Sequence, residues 1–218
     1  MELSTLKTYR KIVPGATFIS FLIPAYLFFT DQVFEIDEAK FVFGGFGLVL
    51  AIIIGTCFSS LKIRSLRNKK THTEIITNIK NKLIKNGLTR TVDAEEKKKV
   101  IEGRQLMNVF YYFIDNDESL KEKSKLVRDN GLFWTSTADV AILGCFFTWL
   151  YFLLILFFGA EPLLVFAGLS IGFIGLLSGA ILHPLSVRNH IVLGNEQLEF
   201  IFTNYKKELQ DKINGLFD

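Results

Sequence analysis

Asp139 is the only charged residue in the apolar run 132–158. A carboxylate in the hydrocarbon region costs about 2.5–3.5 kcal/mol at the bilayer centre and less near its edge. It therefore needs a partner or a task. His183 closes the next apolar run, and Arg188 follows Pro184. An Asp139–His183 or Asp139–Arg188 pair is the structural expectation. A polar vestibule or gate lined by Asp139 and His183 is the functional one. A second group of candidates lies at Lys62, Arg64, Arg67, Lys69, Lys70, Lys80, Lys82 and Lys85. Residues 62–90 hold nine Lys/Arg, Arg90 among them, against one acid, Glu74. Such a strip suits an anionic ligand: nucleotide, nucleic acid or phosphate. It also suits a simple anchor on anionic lipid, at about 1 kcal/mol per charge near the surface.

Other chemistries find little support. His72, His183 and His190 show no metal-ligand spacing. Cys57 and Cys145 both fall in apolar runs, with no disulfide framework. G-x-S-x-G and phosphate-loop motifs are absent. The acidic knot "IDNDES" (114–119) lacks the EF-hand glycine, and the twelfth loop position from Asp115 is Leu126 rather than Glu. Its Asp117 suits a helix cap. "WTSTAD" (134–139) suits capping and back-bonding to carbonyls. "VFYYF" (109–113) suits a core more than a base-stacking platform. No enzyme activity, cofactor or metal is expected.

The elements that must position these residues are membrane helices. Half of the 218 residues are apolar, 22 are Phe, and charges fall in blocks. Four apolar runs, 12–30, 41–61, 132–158 and 162–183, approach or exceed the ~20 residues that cross a ~30 Å hydrocarbon core. The first resembles a signal peptide, but Pro14, Gly15 and Pro24 and the lack of a small-residue cleavage site make it a retained span. Small residues recur along two runs. Gly168, Gly172, Gly175 and Gly179 are spaced four, three and four, and fall on one helix face. Gly44, Gly47, Ala51 and Gly55 do the same in the second run. Both stripes are expected to be packing seams against other helices, the first against the small-residue face of the second run or the aromatic face of the third.

Charge fixes the expected topology. Lys7, Arg10 and Lys11 precede the first run, acidic "DQVFEIDEAK" follows it, and 62–131 carries 17 Lys/Arg against 10 Asp/Glu. The positive-inside rule puts both termini and the large segment in the cytoplasm of a multi-pass inner (plasma) membrane protein. The fold class is all-α: four spans in two hairpins with a helical cytoplasmic domain. The divisions are a first hairpin (1–61), a basic cytoplasmic segment (62–131), a second hairpin (132–183) and an amphipathic tail (184–218). With no Gly or Pro from Thr56 to Asn86, the second span is expected to continue as one helix to Gly87. Asp93 should cap a helix through Ile114, and Asp117 one that stops at Gly131. Leu198, Phe202, Tyr205 and Leu209 form a heptad-like stripe in the tail. Shifted by 129 residues, Gly15, Phe18 and "LFF" (27–29) lie on Gly144, Phe147 and "LFF" (156–158), as an old duplication would leave them.

Three functions fit. The first is an oligomeric channel or pore gated by an anionic cytoplasmic ligand, as glycine seams, minimal outer loops and a large basic inner segment suggest. The second is a membrane anchor or scaffold whose cytoplasmic helices bind a protein partner. The third is a small transporter, against which stands the shortage of buried ionisable groups beyond Asp139 and His183. In layout, with "KIRSLRNKK" (62–70) leaving a span and in its size, the chain resembles small multi-span membrane effectors of bacterial anti-phage defence systems. That resemblance implies a cytoplasmic sensor of an anionic nucleotide or nucleic-acid signal that disrupts the membrane, with the basic strip as the contact; the pore reading adds a homo-oligomer.

Overall fold

The computed structural model describes residues 3–30 and 45–217. Gly44 and the acidic segment 31–40 lie outside the described residues. All described regular structure is helical: α1 (Leu3–Thr30), α2 (Gly45–Ser60), α3 (Ser65–Gly87), α4 (Ala94–Glu102), α5 (Gln105–Asn116), α6 (Glu118–Phe158), α7 (Pro162–Leu177), a π-helical turn (Ser178–Leu182), α8 (His183–Asn204) and α9 (Lys206–Asn214). Three stretches are long and apolar enough to cross a membrane: Ser4–Thr30, Glu118–Phe158 and Pro162–Asn204. A fourth exists if α2 and α3, bent by 66°, count as one broken span. The chain divides into two compact units. The first holds Met1–Asn68 and Leu132–Ser186, the second Lys69–Gly131 and Val187–Asp218.

The first unit is two helical hairpins closed at glycines. A methyl on Gly15 would overlap the Ala51 backbone, and one on Gly55 the Lys11 carbonyl, so α1 and α2 touch backbone to backbone. In the second hairpin a Cβ on Gly144 would lie 2.6 Å from the Gly175 Cα. Gly15 and Gly144, which the 129-residue shift superposes, are thus both crossing points. Phe147, fully buried, packs edge-on to Phe18 and Phe21 at 5.1 and 5.8 Å and joins the hairpins.

Pro24 lies inside α1, where proline costs about 3 kcal/mol through its missing N–H and its clash with the preceding turn. The fully buried Tyr151 occupies the opened ladder one position on. Its hydroxyl accepts from the Ala25 N–H at 3.0 Å and donates to the Phe21 carbonyl at 2.8 Å. These two groups would normally bond each other, so the tyrosine replaces a helical bond and ties α6 to α1.

The second unit packs Leu83, Leu106, Phe113, Leu120, Leu198, Ile201, Leu209 and Ile213 out of solvent. Asp93 accepts from the Glu95 N–H at 3.0 Å and caps α4. Asp117 accepts from the Leu120 N–H at 2.8 Å and caps α6. Of the tail stripe, Leu198 and Leu209 are fully buried. Phe202 and Tyr205 are half-buried. Gly87 meets the tail: a Cβ there would stand 2.6 Å from Ile213 Cγ1.

Four expected boundaries are corrected. The second span does not run to Gly87 as one helix. It breaks at 61–64, where Lys62 takes φ 54°, a left-handed conformation costing about 1–2 kcal/mol in a non-glycine residue. The helix after Asp93 divides at Gly103 and Arg104. Gly131 ends nothing, since α6 runs through it for 41 residues. A mid-helix glycine costs only about 1 kcal/mol. Beside it, Asn130 Oδ1 accepts from Asn189 Nδ2 at 2.9 Å and Nδ2 meets His190 at 3.3 Å. Nor does the helix of the fourth apolar run close at His183, since it continues through Pro184 to Asn204. The π turn widens the helix before the proline, with the His183 N–H reaching back to the Ser178 carbonyl.

Candidate functional site: a buried ion pair and a glycine seam

Asp139 is fully buried, and its partner is Arg64. Arg64 Nε donates to Oδ1 at 2.8 Å and to Oδ2 at 3.1 Å, and Nη2 donates to Oδ2 at 2.5 Å. The same Nη2 donates to the Arg10 carbonyl at 2.7 Å. One guanidinium therefore links α1, the bend after α2 and α6. The bend makes this possible: it turns the residues after Ser60 aside, and Arg64 is the last before α3. A fork-on-fork pair of this kind is among the strongest charged contacts. Its desolvation cost still makes a buried pair poor as pure stabilisation and apt as a device that specifies one arrangement.

His183 is not the partner of Asp139. Its Nδ1 lies 3.3 Å from the Trp134 carbonyl and 3.5 Å from Thr137 Oγ1. Bonding the carbonyl requires the proton on Nδ1, which leaves Nε2 a lone pair. Nε2 is buried, with no hydrogen-bond partner among the described residues. Thr137 and Ser178 continue the polar layer, Ser178 Oγ donating to the Thr137 carbonyl at 2.9 Å. That bond holds the π turn against α6.

The glycines of α7 and the π turn all face α6. A Cβ on Gly168 would meet Tyr151 Cβ at 3.1 Å, one on Gly172 the Thr148 hydroxyl at 3.1 Å, one on Gly175 the Gly144 Cα at 2.9 Å, and one on Gly179 the Ala141 Cβ at 3.2 Å. In α2, Gly47, Ala51 and Gly55 are buried, and Ala51 and Gly55 face α1.

The eight basic candidates separate by role. Arg64 is committed to Asp139. Arg67 Nη2 donates to the Gly179 carbonyl. Lys80 Nζ donates to the Ile101 and Gly103 carbonyls, both at 2.7 Å, and so closes the C-terminus of α4. Lys62, Lys69, Lys70 and Lys85 are exposed, and Lys82 is half-buried. These five lysines are not engaged in this way among the described residues, and Arg67 meets only a neutral carbonyl.

Arg10 and Tyr151 were missed as site residues by sequence reasoning. A signal for Tyr151 exists: a tyrosine deep in an apolar run needs a hydroxyl partner, and a proline in another span opens a ladder. Among the described residues no three His, Cys, Asp or Glu side chains group closely enough to hold a metal. Comparison with known protein families, curated proteins and solved structures finds no match to this chain.

Proposed function

We propose that the chain is the subunit of an oligomeric membrane channel or pore, in the inner membrane with both termini cytoplasmic, opened by an anionic nucleotide or nucleic-acid ligand. The observation that carries this reading is the Arg64–Asp139 pair. It buries a charge-assisted contact among candidate spans, and Arg64 immediately precedes α3, the helix of Lys69, Lys70, Lys82 and Lys85. A ligand that engages those lysines and favours a displaced α3 would shift the pair between closed and released arrangements. The ligand moves that balance only by its difference in affinity for the two states. Close glycine packing in both hairpins supplies small-faced helices that can re-pack against copies of themselves.

The test is binding of short oligonucleotides and of nucleotides to the purified chain across a salt series. The expected result is saturable binding that weakens with salt, its slope set by the number of phosphates neutralised. Lys69→Glu with Lys70→Glu, and Lys82→Glu with Lys85→Glu, should each reduce it while leaving the protein inserted. Lys80→Glu is unsuited to this purpose, because it removes the closure of α4. Absence of binding by the wild type contradicts a nucleotide- or nucleic-acid-gated reading.

A further inference from the structure

Alongside the Gly144–Gly175 crossing, the small faces of α6 and α7 leave a groove of about 470 Å³. That is within the ~300–1,000 Å³ range of small-molecule sites. Gly172, Gly179 and Ala180 form its floor and end, and Trp149 and Leu176, both well exposed, form its walls. Its lining is apolar except for the Thr148 hydroxyl and one cation, Arg67. The hydroxyl is already spent on the Gly144 carbonyl at 2.7 Å. Arg67 bonds only the neutral Gly179 carbonyl, and no carboxylate pairs with it among the described residues. The guanidinium lies close over Gly179: a Cβ there would stand 3.4 and 3.5 Å from its two terminal nitrogens, in ordinary van der Waals contact.

A guanidinium at one end of an apolar groove between candidate spans calls for an anion with an apolar body. We infer that this groove is a binding site for one anionic phospholipid, its phosphate on Arg67 and an acyl chain along Gly179, Gly175 and Gly172. A soluble anion would leave the walls unfilled. A second copy docked symmetrically would bring its own Arg67 toward this one. On the proposed topology the guanidinium end faces the cytoplasmic leaflet, and basic pockets between spans on that side favour acidic headgroups. The site does not depend on the gating reading.

Trp149, in the wall, is its natural reporter, because the chain has only one other tryptophan, Trp134. The experiment uses the full chain carrying Trp134→Phe in phosphatidylcholine vesicles, titrated with brominated phosphatidylglycerol or brominated phosphatidylcholine. Trp149 fluorescence should be quenched at a lower mole fraction of the anionic lipid, a preference of roughly five- to tenfold for one well-placed cation. Arg67→Gln should abolish the preference, and Arg67→Lys should retain part of it. Ala180→Phe, which fills the groove without touching the charge, should weaken quenching by both lipids. Inorganic phosphate should not compete. Equal quenching by the two lipids, a preference surviving Arg67→Gln, or displacement by phosphate overturns the assignment. So does a dimer by light scattering that excludes both lipids and that Ala180→Phe dissociates.

Discussion

Removing the Asp139 carboxylate would leave the Arg64 side chain, 19% exposed, without its counter-charge and with only the Arg10 carbonyl as acceptor. Asp139→Ala should therefore cost about 3–5 kcal/mol, as loss of one partner of a buried pair does. Replacing both, Asp139→Leu with Arg64→Met, should restore most of that, and thermal unfolding in detergent separates the cases. If the double variant is as unstable as the single one, the pair is not acting as a unit. A second residue-scale tie lies at Asp117, whose carboxylate accepts from the Tyr205 hydroxyl at 2.6 Å and from the Leu120 N–H. First the tyrosine bond, then the cap, holds the Asp117 pKa below its usual value. A depressed carboxylate contributes stability above the ordinary carboxylate range and loses it as pH falls through the lowered value. Tyr205, raised first by the same hydrogen bond, contributes below about pH 10 and loses that contribution as pH rises through its raised value. Acid and alkaline unfolding of Asp117→Ala, which removes the acceptor as well as the charge, should lack both parts of the wild-type pH dependence. Asp139 was legible in the sequence as a costly buried acid and Asp117 as a cap. The partner of Asp139 was not, because Arg64 stands among like charges and nothing in "LKIRS" announces a bend.

At the scale of elements, the 4-3-4 glycine spacing was readable, and the structure sets those four residues against Tyr151, Thr148, Gly144 and Ala141. The cost of a side chain should follow what it meets. Gly175→Leu strikes the backbone of Gly144, which cannot yield, and should lose more than the ~1–3 kcal/mol typical of overpacking. Gly172→Leu meets a threonine side chain and should fall within that range. Leu176→Ala, on an exposed wall, should matter least. Melting temperatures of the three in one detergent check the order, and equal tolerance would mean the seam is not a packing surface. Helix ends were less legible. Gly131 and Pro184 are ordinary stop signals, overridden by the Asn130 bonds and by the π turn. The break at 61–64 has neither glycine nor proline. Its cause is tertiary: Arg64 bonds Asp139 and the Arg10 carbonyl, and sequence distance hides both.

For the whole molecule, composition and charge segregation made a helical chain with long apolar stretches evident, and three to four helices are long and apolar enough to cross a membrane. Nothing in the spacing of residues gives an assembly, since an apolar residue that faces lipid and one that faces a second copy read alike. The pore reading requires more than one copy, so the detergent-solubilised mass should exceed that of the 24.8 kDa chain several-fold. A cysteine placed at Asn116 should resist an impermeant thiol reagent applied from outside, while one at Gln32 should react. The most direct measurement is ion flux from vesicles holding the purified chain, with the ligand added on the face that carries Asn116. Wild type should leak only when the oligonucleotide or nucleotide is present. Asp139→Asn should leak without it, and Lys69→Glu with Lys70→Glu should stay closed at the same ligand concentration. Vesicles that remain tight in all three, with the protein inserted and assembled, would contradict the channel.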